Sequence, residues 1–600
     1  MAHVQRARPG IAGRRFRFAA TGWRLHGAAL TLVRCIMERT WLSSYPPGVP
    51  ATIALDPSDS LPALLARVCE LHADRPAFTN QGASLSYGEL DRLSLAFAAY
   101  LQKVAGLRKG ERVAIMLPNL LQYPVALFGV LRAGGVVVNT NPLYTGPELE
   151  RQLQDSGACV LVVLDNFASI AEHVLVRTQV RHVVVTGVGD MLHFPKAQIV
   201  NLVVKHVKHM VPPWHIDGAD QFMKALDEGE ELPLDMAPLQ AADTAFLQYT
   251  GGTTGVPKGA ILSHGNMVAN LEQTVAWVRS VLVEGEETAV IPLPLYHVFA
   301  LTVTLAFVRL AARNVLVTNP RDTAALVGEL RHSRFSAMIG VNTLFNALLD
   351  APHIEQARHD GIKVAVAGGM AVQRAVAERW HKVFGVPLIE GYGLTETSPI
   401  VTANPLTIET YTGSIGLPLP STDVAIMDDD GNMLGVDAAG ELCVRGPQVM
   451  QGYWRRPEET AKVMTGDGWL RTGDIGMMDS AGYFRIVDRK KDVIIVSGFK
   501  VFPNEVEDAA MLHPGVFEAA AIPAADAHSD EAVKLVVVRR DPALTAEALL
   551  AHMRTRLTGY KVPRHIVFRE GGLPKSNIGK VLRRVVKEEE DKAAQLAATH

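Results

Sequence analysis

The sequence predicts an α/β protein. A large N-terminal domain of layered α/β subdomains ends in a small β-subdomain and is followed by a small, mobile α+β domain. Three observations carry this. From about Ser60 the chain alternates helical periods with short β-rich runs. After about residue 410 it turns into short strands punctuated by glycine and aspartate. A charged joint, Asp488-Arg489-Lys490-Lys491-Asp492, then precedes a compact tail. At 600 residues the chain is too long for one core, so several subdomains are expected.

The elements follow in order. Leu61 to Ala73 has an amphipathic helical period, with Ser60 as N-cap and Pro62 in the first turn, where no N–H is needed. Leu90 to Lys103 is a second helix. The turn Gly106-Leu107-Arg108-Lys109-Gly110 leads to a strand, Arg112 to Leu117, and a helix, Tyr123 to Ala133. Val136 to Asn139, Cys159 to Val163 and His182 to Val185 are strands of the buried type, which implies largely parallel sheets. Val298 to Leu310 is apolar but includes Thr302 and Thr304 and ends beside Arg309. It falls short of the roughly 18 residues of a membrane span, so it reads as a buried core helix. Further on, Gly413-Ser414-Ile415-Gly416, Asp428-Asp429-Asp430-Gly431-Asn432, Gly440-Glu441 and Asp479-Ser480-Ala481-Gly482 mark hairpins. The tail reads as strand Val493 to Ser497, helix Asn504 to Leu512, strands Ala519 to Ile522 and Ala532 to Val538, and helix Thr545 to Leu557. The expected domains are 37–487 and 493–590, joined by a hinge at 488–492, with a tail at 591–600.

Composition narrows the function classes. Hydrophobic content of 48% and charged content of 20% describe a globular protein, and a net charge of -3 gives no support for a nucleic-acid partner. The four cysteines lie far apart and form no CxxC pair, which argues against a disulfide framework or a zinc site and fits a reducing cytoplasm. Residues 1–36 hold seven arginines and no acid. Such a segment suits a transit-type or membrane-surface arm; the preferred reading is an upstream extension, with translation starting at Met37, outside the fold. Lys196 to Trp214 places Ile199, Val200, Val203, Val204, Val207 and Met210 near helical spacing, with Lys205, His206, Lys208 and His209 among them. It reads either as a surface helix covering the core or as one lying on an anionic membrane.

Five motifs carry chemistry. Tyr249-Thr250-Gly251-Gly252-Thr253-Thr254-Gly255-Val256-Pro257-Lys258-Gly259 has the composition of an anion-wrapping loop: glycines admit backbone N–H groups, threonines donate hydroxyls, and Lys258 adds charge. It is not a Walker A loop, because Val256-Pro257 separates Gly255 from Lys258. Gly391-Tyr392-Gly393-Leu394-Thr395-Glu396 offers an aromatic face for a purine, a hydroxyl and a hard oxygen ligand for Mg²⁺. Arg471-Thr472-Gly473-Asp474 places a carboxylate after a turn, suited to ribose hydroxyls, and Asp488-Arg489 adds charge. Pro574-Lys575-Ser576-Asn577-Ile578-Gly579-Lys580 sets a lysine on a glycine turn. Each alone also reads as an ordinary surface loop.

Taken in order, the five motifs resemble the adenylate-forming superfamily of acyl-CoA synthetases, luciferases and peptide-synthetase adenylation domains. The resemblance runs from about Trp41 to Arg584 and is strongest to bacterial long-chain fatty-acid–CoA ligases. Gly466-Asp467-Gly468-Trp469-Leu470 and the run from Val487 to Phe499 resemble that group's fatty-acyl signature, continued by Phe502-Pro503-Asn504-Glu505.

The resemblance implies roles. Thr250 to Lys258 hold the β- and γ-phosphates and release pyrophosphate. Gly368, Gly369 and Met370 lie beside the adenine, with Glu390, Gly391 and Gly393 in the same nucleotide set. Tyr392 stacks on the adenine, Thr395 contacts the α-phosphate, and Asp474 and Arg489 fix the ribose. Glu396 and Thr250 hold Mg²⁺, the implied cofactor. His297, in Pro294-Leu295-Tyr296-His297, resembles the position near the acyl carboxylate; a purely structural histidine is the alternative. Lys580 bridges substrate carboxylate and α-phosphate. Lys491 matches the hinge, and Ser497-Gly498 line the CoA channel after domain rotation.

The implied reaction joins a long-chain fatty acid to CoA at the expense of ATP, through acyl-AMP. The alternative is an acyl-AMP ligase serving a carrier protein; no extra segment between Asp474 and Gly498 hinders rotation, which favours CoA. A non-catalytic lipid-binding protein fits poorly with Lys258, Glu396, Asp474, Arg489 and Lys580 occurring together. Peripheral contact with the inner membrane face and a homodimer are further expectations. Pocket walls are expected to include parts of Val298–Leu310 and Ile339–Phe345.

Overall fold

The structure, a computed structural model, describes residues 39–598 apart from 237, 251–256, 358–359, 498, 527–529 and 577–578. Gly251, Gly252, Thr253, Thr254, Gly255, Gly498 and the arginine-rich segment 1–36 therefore lie outside the described residues.

Two large sheets build the N-terminal domain. One has seven strands, in the order Asp220–Gln221, His182–Thr186, Val160–Leu164, Arg112–Met116, Val136–Asn139, Thr244–Thr250 and Lys258–Ser263. All neighbours are parallel except the last pair, a hairpin that pairs Thr250 with Lys258. The other has nine strands, with a parallel centre of Arg313–Leu316, Thr288–Ile291, Ala337–Gly340, Val364–Ala367 and Leu388–Gly393. Val160–Leu164 is buried at every position, as a parallel strand covered on both faces must be.

The helix Gln122–Arg132 is buried all round, and Val298–Arg309 is buried except at Arg309. Such all-round burial requires an apolar circumference, which is why neither shows a polar face. The helix read as starting at Leu90 starts at Tyr87, because Ser86 and Glu89 form a reciprocal capping box. The small β-subdomain is a four-stranded antiparallel sheet of Asp423–Met427, Gly440–Arg445, Leu470–Met478 and Phe484–Arg489.

The C-terminal domain adds a five-stranded sheet flanked by helices Pro503–Met511 and Ala546–Arg554. The strand read over Val493 to Ser497 is a hairpin, Ile494–Val496 and Phe499–Val501, turning at Ser497 in the left-handed region (φ 49). The strand His565–Arg569 and the charged helix Arg583–Ala598 complete the domain and were not foreseen. Within Lys196 to Trp214, only Lys196–Leu202 is α-helical, followed by a π-turn at Val203–Val207. Cys69, Cys159 and Cys443 are buried and free. Among the described residues, no helix is long and apolar enough to cross a membrane.

Candidate active site

A cavity of about 1610 Å³ runs between the nine-stranded sheet, the β-subdomain and the C-terminal domain. Its wall includes Tyr249, Thr250, Lys258, His297, Gly368, Gly369, Met370, Glu390, Gly391, Tyr392, Gly393, Thr395, Glu396, Asp474, Arg489, Lys491 and Lys580. Residues predicted from motifs more than 300 positions apart thus meet in one space. Ser497 is not among the lining residues.

The end of the cavity where phosphate is expected is built at a strand terminus. Thr244–Thr250 and Lys258–Ser263 present Tyr249, Thr250 and Lys258 at the open end of their hairpin. Lys258 Nζ is paired with the Glu459 carboxylate and lies 5.0 Å from the centroid of the Tyr453 ring. The Lys258 and Lys462 ammonium groups hold the Glu459 carboxyl down at about 2. Tyr249 donates its hydroxyl to Asp155 Oδ2 at 2.6 Å, so its polar end is committed to the protein. Glu396 sits in the short 3₁₀ turn Thr395–Thr397 and accepts a hydrogen bond from the Tyr453 hydroxyl at 2.7 Å.

Two pairs that share Asp474 define another part of the wall. Tyr392 donates to Asp474 Oδ2 at 2.7 Å, and Arg489 Nε lies 3.3 Å from Asp474 Oδ1. Asp474 and Arg489 face each other across adjacent β-strands, so the sheet register sets the pair. Gly393 is required by space: a Cβ there would lie 1.8 Å from the Pro399 carbonyl oxygen. Glu390 accepts from the Val372 N–H at 3.1 Å, and burial pushes its carboxyl up to about 8.

Lys580 arrives from the C-terminal domain. Burial, then the Arg489 charge, lowers its ammonium from the ordinary lysine range to about 8. The turn that carries it is fastened to the large domain by the Thr343 hydroxyl, which donates to the Gly579 carbonyl at 3.0 Å. His297 caps the helix Val298–Arg309: its Nδ1 accepts from the Phe299 N–H at 3.3 Å, which assigns the remaining ring proton to Nε2. Burial, then the nearby Lys580 charge, brings His297 down to about 4, so the ring is neutral.

A family model described as AMP-binding enzyme matches residues 65–454, and one described as AMP-binding enzyme C-terminal domain matches residues 505–580. The chain belongs to the AMP-binding enzyme family. It is 53% identical over 554 residues to a long-chain-fatty-acid–CoA ligase of Salmonella typhimurium, covering 92% of this chain and 98% of that one. It is 38% identical over 559 residues to the ligase of the same name from Bacillus subtilis, covering 92% and 98%. The crystal structure of ATP-bound MatB from Rhodopseudomonas palustris superposes with a TM-score of 0.77 at 27% identity, covering 88% of this chain and 99% of that chain. The division into a large N-terminal and a small C-terminal domain is common to these AMP-binding enzymes.

Part of the wall of this AMP-binding enzyme's cavity is apolar, while Glu507, Asp508, Arg583 and Lys587 are charged members of it. Val303, Ala306, Phe307 and Leu310 line it from the helix predicted to do so, and Asn342 and Thr343 come from the second predicted segment. Trp277, Val278 and Leu282 on the neighbouring helix and its exit also line it and were missed. Tyr453, Glu459, Asp155 and Arg456 were missed as well. No local pattern marks them: Glu396 is 57 positions from Tyr453, and Lys258 is 201 from Glu459.

Proposed function

We propose that this protein activates long-chain fatty acids, converting fatty acid, ATP and CoA into acyl-CoA, AMP and pyrophosphate. The observation that carries the reading is the continuity of one cavity, whose wall holds Lys258 and Lys580 together with the apolar Val303, Ala306, Phe307 and Leu310. The names of the relatives support it.

In the first step a carboxylate oxygen of the fatty acid attacks the α-phosphorus of ATP. The bond to the bridging oxygen breaks, and pyrophosphate leaves with the electron pair. Two anions must approach each other, so charge placed where they meet lowers the barrier. Lys580 supplies that charge below about pH 8. Neutral His297 offers Nε2–H to the carboxylate without adding a competing charge. Lys258 accompanies the leaving group, Tyr392 flanks the adenine, and Asp474 with Arg489 holds the ribose. In the second step the CoA sulfur attacks the acyl carbon, the thiol proton is lost, and AMP leaves.

Glu396 and Thr250 offer oxygen donors on the wall of the same cavity, which suits Mg²⁺. When bound, the ion neutralises phosphate charge. The side-chain Tyr453–Glu396 bond uses one carboxylate oxygen and leaves the other for the ion.

Release of pyrophosphate with palmitate, measured with and without CoA, tests the reading. Acyl-CoA formation is expected whenever CoA is present. Pyrophosphate release without any thioester would favour an acyl-AMP ligase, and no release would discard both.

Contact with an anionic membrane surface is the reading of the segment around Lys196–Leu202. Phe194, Ile199, Leu202, Val207 and Met210 are exposed apolar residues there, and Lys205, His206, Lys208 and His209 lie beside them. The expected loss is co-sedimentation with phosphatidylglycerol vesicles when Ile199 and Leu202 become glutamine; unchanged binding discards it.

A further inference from the structure

We propose that Tyr453 is a positioning residue for the phosphate end, tying together the two groups of opposite charge that work there. The inference rests on the reading of Glu396 as a metal ligand and Lys258 as a phosphate contact. Tyr453 touches both. Its hydroxyl donates to Glu396 Oε1 at 2.7 Å, and its ring lies under Lys258 Nζ at 5.0 Å. A carboxylate has several acceptor sites, so one fixed oxygen leaves the other aimed and free to ligate. A ring face attracts an ammonium without neutralising it, so Lys258 is steered but remains available to an anion.

Tyr453 can do this because it is itself held. Its N–H donates to Thr460 Oγ1 at 2.9 Å, and it bridges Ala260 in the strand that begins at Lys258. The next residue, Trp454, donates its N–H to the Gly259 carbonyl at 2.8 Å. On the other side, the Met450 N–H donates to the Glu396 carbonyl, also at 2.8 Å. The segment thereby sews the Lys258 strand to the Glu396 turn, and Tyr453 stands at the stitch. It continues to Glu459, the carboxylate that holds Lys258 here. Pre-organisation of this kind fixes a ligand before the metal arrives.

The test uses the full-length enzyme and a non-hydrolysable ATP analogue, with binding measured by calorimetry. Tyr453→Phe removes the hydroxyl and keeps the ring. Affinity with saturating Mg²⁺ is expected to fall about tenfold, the scale of one hydrogen bond to a charged group. Affinity without Mg²⁺ should stay within about twofold, because Lys258 keeps its platform. Tyr453→Leu removes the platform too, and is expected to weaken binding without Mg²⁺ as well. Adding Tyr453→Phe to Glu396→Gln should cost nothing further, since the neutral amide no longer ligates the metal that the hydroxyl serves. Wild-type Mg²⁺ dependence in Tyr453→Phe, or additive losses in the double variant, overturns the proposal. If Glu396→Gln alone leaves Mg²⁺ dependence unchanged, the metal reading of Glu396 fails and the inference falls with it.

Discussion

The two walls of the cavity are held in different ways. On the large-domain side, the site residues sit on strands of the large sheets and of the antiparallel β-subdomain, and their positions follow from sheet register and steric necessity. Asp474 faces Arg489 across a sheet, Tyr392 is locked to Asp474, and Gly393 has no room for a Cβ. On the C-terminal side, Lys580 is delivered by a turn that the Thr343 hydroxyl fastens through the Gly579 carbonyl. Nearby, Arg540 reaches Asp350 at 3.4 Å through a half-exposed pair. The first wall is set by the fold of the large domain; we propose that the second is exchanged between the two half-reactions. A site that must first expel pyrophosphate and then admit a thiol needs both kinds.

The largest expected effect breaks the second wall alone. Lys580→Ala should slow acyl-AMP formation by roughly 10²–10³, the scale of one lost transition-state charge contact. Thioester formation from supplied acyl-AMP should stay within about threefold; stopped-flow assays of the separate half-reactions read both. Equal loss in both contradicts the division of labour.

Next in size is a change to the first wall. Gly393→Ala forces a Cβ against the Pro399 carbonyl at a distance no packing tolerates. It should destabilise the large domain by about 3 kcal/mol in urea unfolding, as overpacking of a rigid site does, and slow both half-reactions together by about tenfold.

A pH series sharpens the contrast. Lys580 is charged below about 8 and neutral above it. Acyl-AMP formation should therefore fall as pH rises through that value, while Lys580→Arg, always charged, should remove the fall. The stability sign runs the other way: the folded value lies below the ordinary 10.5, so burying the charge opposes docking below about 8. That opposition fades between 8 and 10.5, where the unfolded state binds more protons. A profile of acyl-AMP formation flat from pH 7 to about 9.5 contradicts the role of a buried ammonium.

The smallest effect belongs to Arg540→Ala. Its pair with Asp350 is 35% exposed on both sides, so the loss should be near 0.5 kcal/mol and slow acyl-AMP formation about twofold. A tenfold effect would mean the second wall is fastened more firmly than described.

What the sequence made legible follows the same division. Buried strands such as Val160–Leu164 announce themselves through uninterrupted apolar residues, and Gly391 to Glu396 and Arg471 to Asp474 were readable because glycine turns expose short runs of reactive side chains. The Ser86–Glu89 capping box starts its helix at Tyr87, three residues before the apolar period read from Leu90. The helix Arg583–Ala598 was illegible because its charges mask any period, although Arg583 gathers Asp488, Glu507 and Asn504 around the joint. The Tyr453 and Glu459 contacts are long-range, and only folding brings them to Glu396 and Lys258.

The central claim is that Lys580 and its turn occupy the cavity for one half-reaction and leave for the other. A Cβ built at Gly579 lies 3.8 Å from the Thr343 Cβ, the separation of two disulfide-linked residues. The variant Thr343→Cys with Gly579→Cys, oxidised, should form one equivalent of acyl-AMP and pyrophosphate and then stall. Thioester formation should drop more than about 100-fold and recover on reduction, as expected when a required conformational step is blocked. Acyl-CoA production by the oxidised enzyme at the rate of the reduced one would contradict the account.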